Sequence, residues 1–196
     1  MVIFAHLTEE SLEILKEIQN ELIRNNPEYE SLRIRREKIH VTFIAIYEED
    51  RLESLFNMTI DEVKKEPGLT FEMDEFDDFN GNLVAKLKSG VIQNLSILFM
   101  YNCMKKCIPI DDMQTTHVSL FKPAKVEMGC FQYSLPLDPK SRNIASNRGP
   151  LQIRDIIACR FAKGMPELLS YKFNTENGSQ QEPDNISSSG ARKQRE

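Results

Sequence analysis

The chain contains three histidines, and two of them sit in matched settings. Lys38-Ile39-His40-Val41-Thr42-Phe43 and Thr116-His117-Val118-Ser119-Leu120-Phe121 each read histidine, apolar residue, hydroxyl, apolar residue, and the two histidines lie 77 positions apart. Such a pair suits the cleavage of a phosphodiester. One proton must leave the attacking oxygen and another must reach the leaving oxygen. Two imidazoles titrating near neutrality can do both, each contributing roughly 10²–10⁴ in rate. Charge building on the non-bridging oxygens needs hydrogen-bond donors, which the Thr42 and Ser119 hydroxyls can supply. A single histidine in a strand is more often a structural residue, so the duplication carries the weight. The two settings are near-equivalent, and which histidine acts as base stays open. No cluster of carboxylates and histidines has metal-ligand spacing, so neither a metal nor a cofactor is expected.

These residues require strands to present them. Ile39 to Tyr47 is rich in β-branched and aromatic residues, as is Thr116 to Phe121. Period-two geometry then puts His40 and Thr42 on one face, with Val41 and Phe43 on the other. His117, Ser119 and Phe121 share a face in the same way. Phe121 is placed either to stack on a base, at ~1–3 kcal/mol, or to cap the core at the strand end. Lys122 falls on the opposite face and reads as surface charge. His6 lies in the first strand without a dependable hydroxyl partner and reads as structural. Cys103 and Cys107, four apart on a helix, read as buried helix residues, since no second pair completes a metal site.

The remaining elements follow in order. Val2 to Leu7 reads as a strand. Thr8 is an N-cap for a helix with apolar residues at Leu12, Leu15, Ile18 and Leu22, running to about Arg24 and stopped by Asn25-Asn26-Pro27. A short helix is expected over Ile60–Lys65, then short strands over Leu69–Leu87 around the hairpin signal Asn80-Gly81-Asn82. Gly90–Cys107 reads as a helix and Leu151–Ala162 as a late strand, while 124–149 has no clear pattern. The fold class is α+β. Strand–helix–strand occurs in each half, and each half ends on a histidine-bearing strand, which gives two similar lobes. A single bilobal domain over 1–173 is expected, followed by a polar, disordered tail over 174–196.

Composition bounds the partners. The 196 residues are 40% hydrophobic and 28% charged, enough for a buried core. The net charge is −5, which disfavours a basic body built to hold long duplex nucleic acid. Glu72–Asp78 alone carries five acidic residues and no basic one, whereas Arg33–Lys38 and Lys140–Lys172 are net basic. Such polarity can steer an anion to one face, although each stretch also reads as solvated surface charge. No apolar run reaches the ~18 residues of a membrane span. The N-terminus lacks signal-peptide features, and the four cysteines read as free thiols in a reducing compartment. The basic residues in Arg33–Lys38 and at the C-terminus make only weak nuclear signals. An intracellular location, cytoplasmic or nuclear, is expected.

The paired motifs, their placement in two halves and the chain length resemble the 2H phosphoesterase superfamily. The opening strand IFAHLT, the long first helix and the late strand IRDIIAC look most like the phosphoesterase-like domain of A-kinase anchoring proteins of the seventh type. The resemblance covers about residues 1–163. Residues 124–149 and the acidic run 72–78 depart from it. It implies two lobes with antiparallel sheets forming a V-shaped groove, helices outside, and His40, Thr42, His117 and Ser119 lining that groove. It further implies a short RNA or nucleotide substrate: a 2′–5′-linked, 2′,3′-cyclic or terminal RNA phosphodiester. The alternative it carries is a module that binds AMP or another nucleotide, or acts as a scaffold, without turnover. The tail after Asn174 has almost no apolar residues, so a kinase regulatory subunit is not an expected partner.

Overall fold

The structure is a computed structural model. It describes residues 1–45, 50–64, 69–79, 82–87, 90–107, 117–125, 132–133, 135–160 and 166–173. Strand β1 (Val2–Leu7) leads directly into helix α1 (Glu9–Asn25). Thr8 caps α1 by accepting a hydrogen bond from the Ser11 amide. Leu12, Leu15, Ile18 and Leu22 bury the helix's apolar stripe. Gln19 is buried on α1, and its amide donates to the carbonyls of Leu120, at 2.7 Å, and Ile34, at 3.0 Å. The first helix is thereby tied to the chain just past the second histidine motif.

The other elements are β2 (Val41–Ala45), α2 (Leu52–Val63), β3 (Thr70–Phe71), β4 (Met73–Phe79), β5 (Asn82–Leu87), α3 (Gly90–Lys105), β6 (His117–Ser119), β7 (Ala124–Lys125), β8 (Gln132–Tyr133), β9 (Leu151–Cys159) and β10 (Glu167–Lys172). Seven strands run β10-β9-β1-β2-β6-β5-β4 in one antiparallel sheet, with β3 added on β9 and β7–β8 paired separately. This is the α+β class expected. The strands of the two halves join through β2 and β6, where Val41 faces Val118.

The main core lies on one face of the sheet. Ile3, Ala5, Val41, Phe43 and Val118 from the strands join Leu15 and Ile18 of α1, Phe56 of α2 and Phe99 of α3 in one buried cluster. Val2, Phe4, Ile157 and Cys159 form a separate small cluster. Alternation puts these four on the opposite face.

Several boundaries differ from expectation, for local reasons. Helix α2 starts at Leu52 rather than Ile60, because Leu52, Leu55 and Phe56 already bury its stripe. The first histidine strand begins at Val41. Arg36–Lys38 forms a 3₁₀ turn closed by the Ile39 amide on the Arg36 carbonyl, and this keeps Ile39 and His40 out of the ladder. The strand expected over 116–121 is regular only over His117–Ser119. Strand β10 (Glu167–Lys172) adds an element beyond those expected. The unassigned stretch 124–149 supplies β7, β8 and a 3₁₀ turn at Pro139–Ser141. Ile46, Tyr47, Asn80, Gly81, Thr116, Cys130 and the whole of 174–196 lie outside the described residues.

Candidate active site

Antiparallel register decides which side chains meet. Val41 pairs with Val118; carrying that register one residue to either side brings Thr42 towards His117 and His40, just outside the ladder, towards Ser119. Side chains directly opposite have Cβ atoms ~4.5–5.5 Å apart, and diagonal neighbours such as His40 and His117 are ~7–8 Å apart. Burial agrees with this phase. His40, Thr42, His117 and Ser119 are all half-buried, while Val41, Phe43 and Val118 are fully enclosed. The two motifs, remote in sequence, therefore present their histidines and hydroxyls on one face at the β2–β6 seam.

The register extends this face into two adjacent rows across the sheet. Phe4 pairs with Thr42 on one side and with Ile157 on the other, and Ser170 faces Ile157. On the far side His117 faces Lys86. The neighbouring row holds His6 opposite Asp155, Lys172 opposite Asp155, Ser119 opposite Val84 and Val84 opposite Asp77. The Phe4 ring lies 4.9 Å from that of His40 and 5.2 Å from that of His6. All three histidines thus belong to one surface. The contact with Asp155 fits the structural role expected of His6, and its place beside His40 follows from the β1–β2 register, which nothing in its own sequence neighbourhood announces.

His40 and His6 are each held by one ring nitrogen. His40 Nδ1 lies 2.9 Å from the Lys38 carbonyl oxygen, so Nδ1 carries the proton and Nε2 is left for chemistry. His6 Nδ1 lies 2.9 Å from Oδ1 of Asp155, whose side chain is only 5% exposed. The second oxygen of Asp155 accepts from Arg154 Nε at 2.8 Å. Burial alone would raise the Asp155 pKa, but the hydrogen bonds from His6 and Arg154 outweigh it and hold the carboxyl below its ordinary value. His40 is displaced the other way. Burial lowers its pKa, the Lys38 carbonyl opposes that, and the charge of His6 lowers it further, with a net decrease. At neutral pH His40 is a neutral imidazole able to accept a proton.

At the β5–β4 end, Lys86 Nζ is 2.7 Å from Asp77 and 3.8 Å from Glu75. The acidic run of the sequence thus falls on β4, the last strand in the sheet order. Charge on a terminal strand also discourages pairing with another chain. Two residues of the basic stretches, Arg36 and Arg148, pair closely with acidic residues of α1. Arg36 meets Glu9 at 2.6 Å and Glu13 at 2.8 Å, and Arg148 meets Glu21. Those two guanidinium groups are neutralised by α1 and contribute little to steering an anion.

Phe121 corrects one expectation. It is fully buried, its ring 5.0 Å from that of Tyr29, and its backbone forms a bridge to Arg33. The strand stops at Ser119, alternation fails beyond it, and Leu120 and Phe121 both enter the core. Phe121 therefore caps the core and is not available to a base. Lys122 is exposed, as expected for surface charge. Cys103 is buried on α3, and burial pushes its thiol up to about 11, whereas Cys107 is exposed past the helix end.

No family model matches the sequence, and no curated protein matches it closely. Solved structures do match the fold. Escherichia coli LigT complexed with 3′-AMP superposes with a TM-score of 0.56 at 12% identity, over 88% of this chain and 96% of that one. A structure described only as a phosphoesterase gives 0.57 at 12% identity, over 88% and 96%. The protein TT0787 of Thermus thermophilus gives 0.56 at 13% identity, over 88% and 98%. This chain has the LigT fold. At such identities the likeness is one of fold, and the chemistry has to be argued from the face described above. Among the described residues, no helix is long and apolar enough to cross a membrane.

Proposed function

We propose that the protein is a 2H-type phosphodiesterase acting on a short RNA-derived or nucleotide phosphodiester. The bond broken is 2′–5′-linked, 2′,3′-cyclic or at an RNA terminus. The observation that supports this is the Val41–Val118 register with the burial pattern around it, from which alternation brings His40, Thr42, His117 and Ser119 to one face. His40, neutral at neutral pH, takes the proton from the attacking oxygen through Nε2. His117, diagonal to it, donates a proton to the leaving oxygen. The Thr42 and Ser119 hydroxyls donate hydrogen bonds to the non-bridging oxygens as charge develops. These four residues need no metal or organic cofactor for those steps. A short substrate is favoured because the two carboxylates of Glu75 and Asp77 share the single cation of Lys86, leaving a net negative charge at one end of the face that disfavours a continuing phosphate backbone.

The likeness to LigT supports this assignment through its fold, and LigT itself has been solved with 3′-AMP and with ATP. The working unit is a single domain over 1–173, located where RNA is processed, in the cytoplasm or nucleus. The finer likeness to the anchoring-protein phosphoesterase domain rests on the sequence segments IFAHLT and IRDIIAC. The test is a panel of 2′–5′ and 3′–5′ dinucleotides and 2′,3′-cyclic nucleotides, incubated with chelator and read by mass spectrometry. Turnover of at least one of these is expected in the presence of chelator. Nucleotide binding with no turnover of any would replace the enzyme with a nucleotide-binding module.

A further inference from the structure

We propose that the face carries a nucleoside subsite on its β9–β10 side, walled by His6 as Asp155 holds it, and that this subsite takes the sugar and base attached to the phosphate bound at the β2–β6 seam. The proposal rests on the phosphodiesterase assignment and specifies where the substrate's nucleoside goes. A cavity of about 510 Å³ opens there, lined by His6, Arg154, Ile157, Glu167, Ser170 and Lys172. That volume lies within the ~300–1,000 Å³ usual for small-molecule sites.

The cavity lies next to the seam, one strand away across β1. His6 and Phe4 stand on β1 beside His40 and Thr42 of β2, and Ile157 stands on β9 beside Phe4. From β2 to β9 is two strand spacings, about 10 Å, the reach of a nucleoside from its own phosphate.

Chemistry selects a nucleoside over a second phosphate. Arg154 is occupied, with Nε on Asp155 at 2.8 Å and Nη1 3.9 Å from Glu9. Asp155 and Glu167 together offset Arg154 and Lys172, so the fixed charges of the pocket cancel. What remains is a mixed set of donors and acceptors, Ser170, Glu167 and Lys172, beside the apolar Ile157. That set suits ribose hydroxyls and the edge of a base. His6 belongs to the same set. With Nδ1–H committed to the buried carboxylate, its ring orientation is fixed and Nε2 remains to bond a sugar oxygen.

Binding of two probes, inorganic phosphate and 3′-AMP, tests this with the full chain. The wild type should bind 3′-AMP at least tenfold more tightly than phosphate, and only 3′-AMP should shift the Ile157 methyl NMR signals. Ser170→Trp, which fills the cavity, and Glu167→Ala, an exposed change that leaves packing alone, should each lose most of that gain while phosphate affinity stays within twofold. Unchanged 3′-AMP affinity in both variants, or an unmoved Ile157 signal, overturns the subsite. If neither probe perturbs the His40 and His117 ring signals, the phosphodiesterase assignment fails and the subsite falls with it. If the rings respond but Ile157 does not, the subsite alone is wrong.

Discussion

Replacing His40 or His117 with alanine is expected to lower kcat on the preferred phosphodiester by about 10²–10⁴, with a much smaller change in KM. Each imidazole moves a proton only in the transition state, so its loss falls on kcat more than on ground-state binding. The double variant should be little worse than the weaker single one, because residues that act as a unit are not additive. Folding should be nearly unaffected, since both rings are half-buried on the open face and neither belongs to the main core. Thermal unfolding and steady-state kinetics on the same preparations check both halves of this expectation. Thr42→Val and Ser119→Ala remove donors without touching the bases, so they retain the pH profile of the wild type while losing rate.

The second large effect is on pH dependence. The acid limb of kcat/KM reports the essential base of the free enzyme. His40 is held below its ordinary value by burial and by the charge of His6, against the Lys38 carbonyl, so the limb should lie below pH ~6.5. Further down, activity should fall tenfold per pH unit. His6→Ala removes the neighbouring charge that lowers the His40 pKa and should move the limb upward, with the two rates converging well above it. The groups facing this pair are Asp155 and Arg154 from β9, Phe4 from β1, His117 and Ser119 from β6, and, one strand further, Lys86 with Asp77 and Glu75. A limb that stays put in His6→Ala, or lies above pH ~7 in the wild type, contradicts the assignment of His40 as base. The same depression has a stability consequence. The unfolded chain binds this proton more tightly than the folded one, so the contribution of His40 makes stability rise with pH up to the ordinary histidine value and level off above it.

Much of this was legible in the sequence, because it depended on local pattern. The β1 and α1 boundaries were announced by an apolar run and a capping threonine. The phase of His40–Val41–Thr42 and His117–Val118–Ser119 followed from period-two alternation, and the burial pattern repeats it. What could not be read was long-range register. His6 joins the site only because β1 lies beside β2, and Asp155 meets His6 only because β9 lies on the other side of β1. The basic stretches suggested an anion-steering surface, but α1 supplies partners for Arg36 and Arg148 that sequence spacing does not reveal. Phe121 failed for a different reason: strand alternation was carried two residues past the point where the strand ends. β10, with its burial spread over Leu169 and Ser170, carried too weak an alternation to be seen.

The most direct measurement follows the ring signals of His40 and His117 by ¹H–¹⁵N NMR while 3′-AMP is titrated in the presence of chelator. Both rings should shift together and saturate at a single dissociation constant, and either alanine variant should weaken the response of the remaining ring. Rings that saturate at different concentrations, or one that never responds, would mean that the two imidazoles do not share a phosphate.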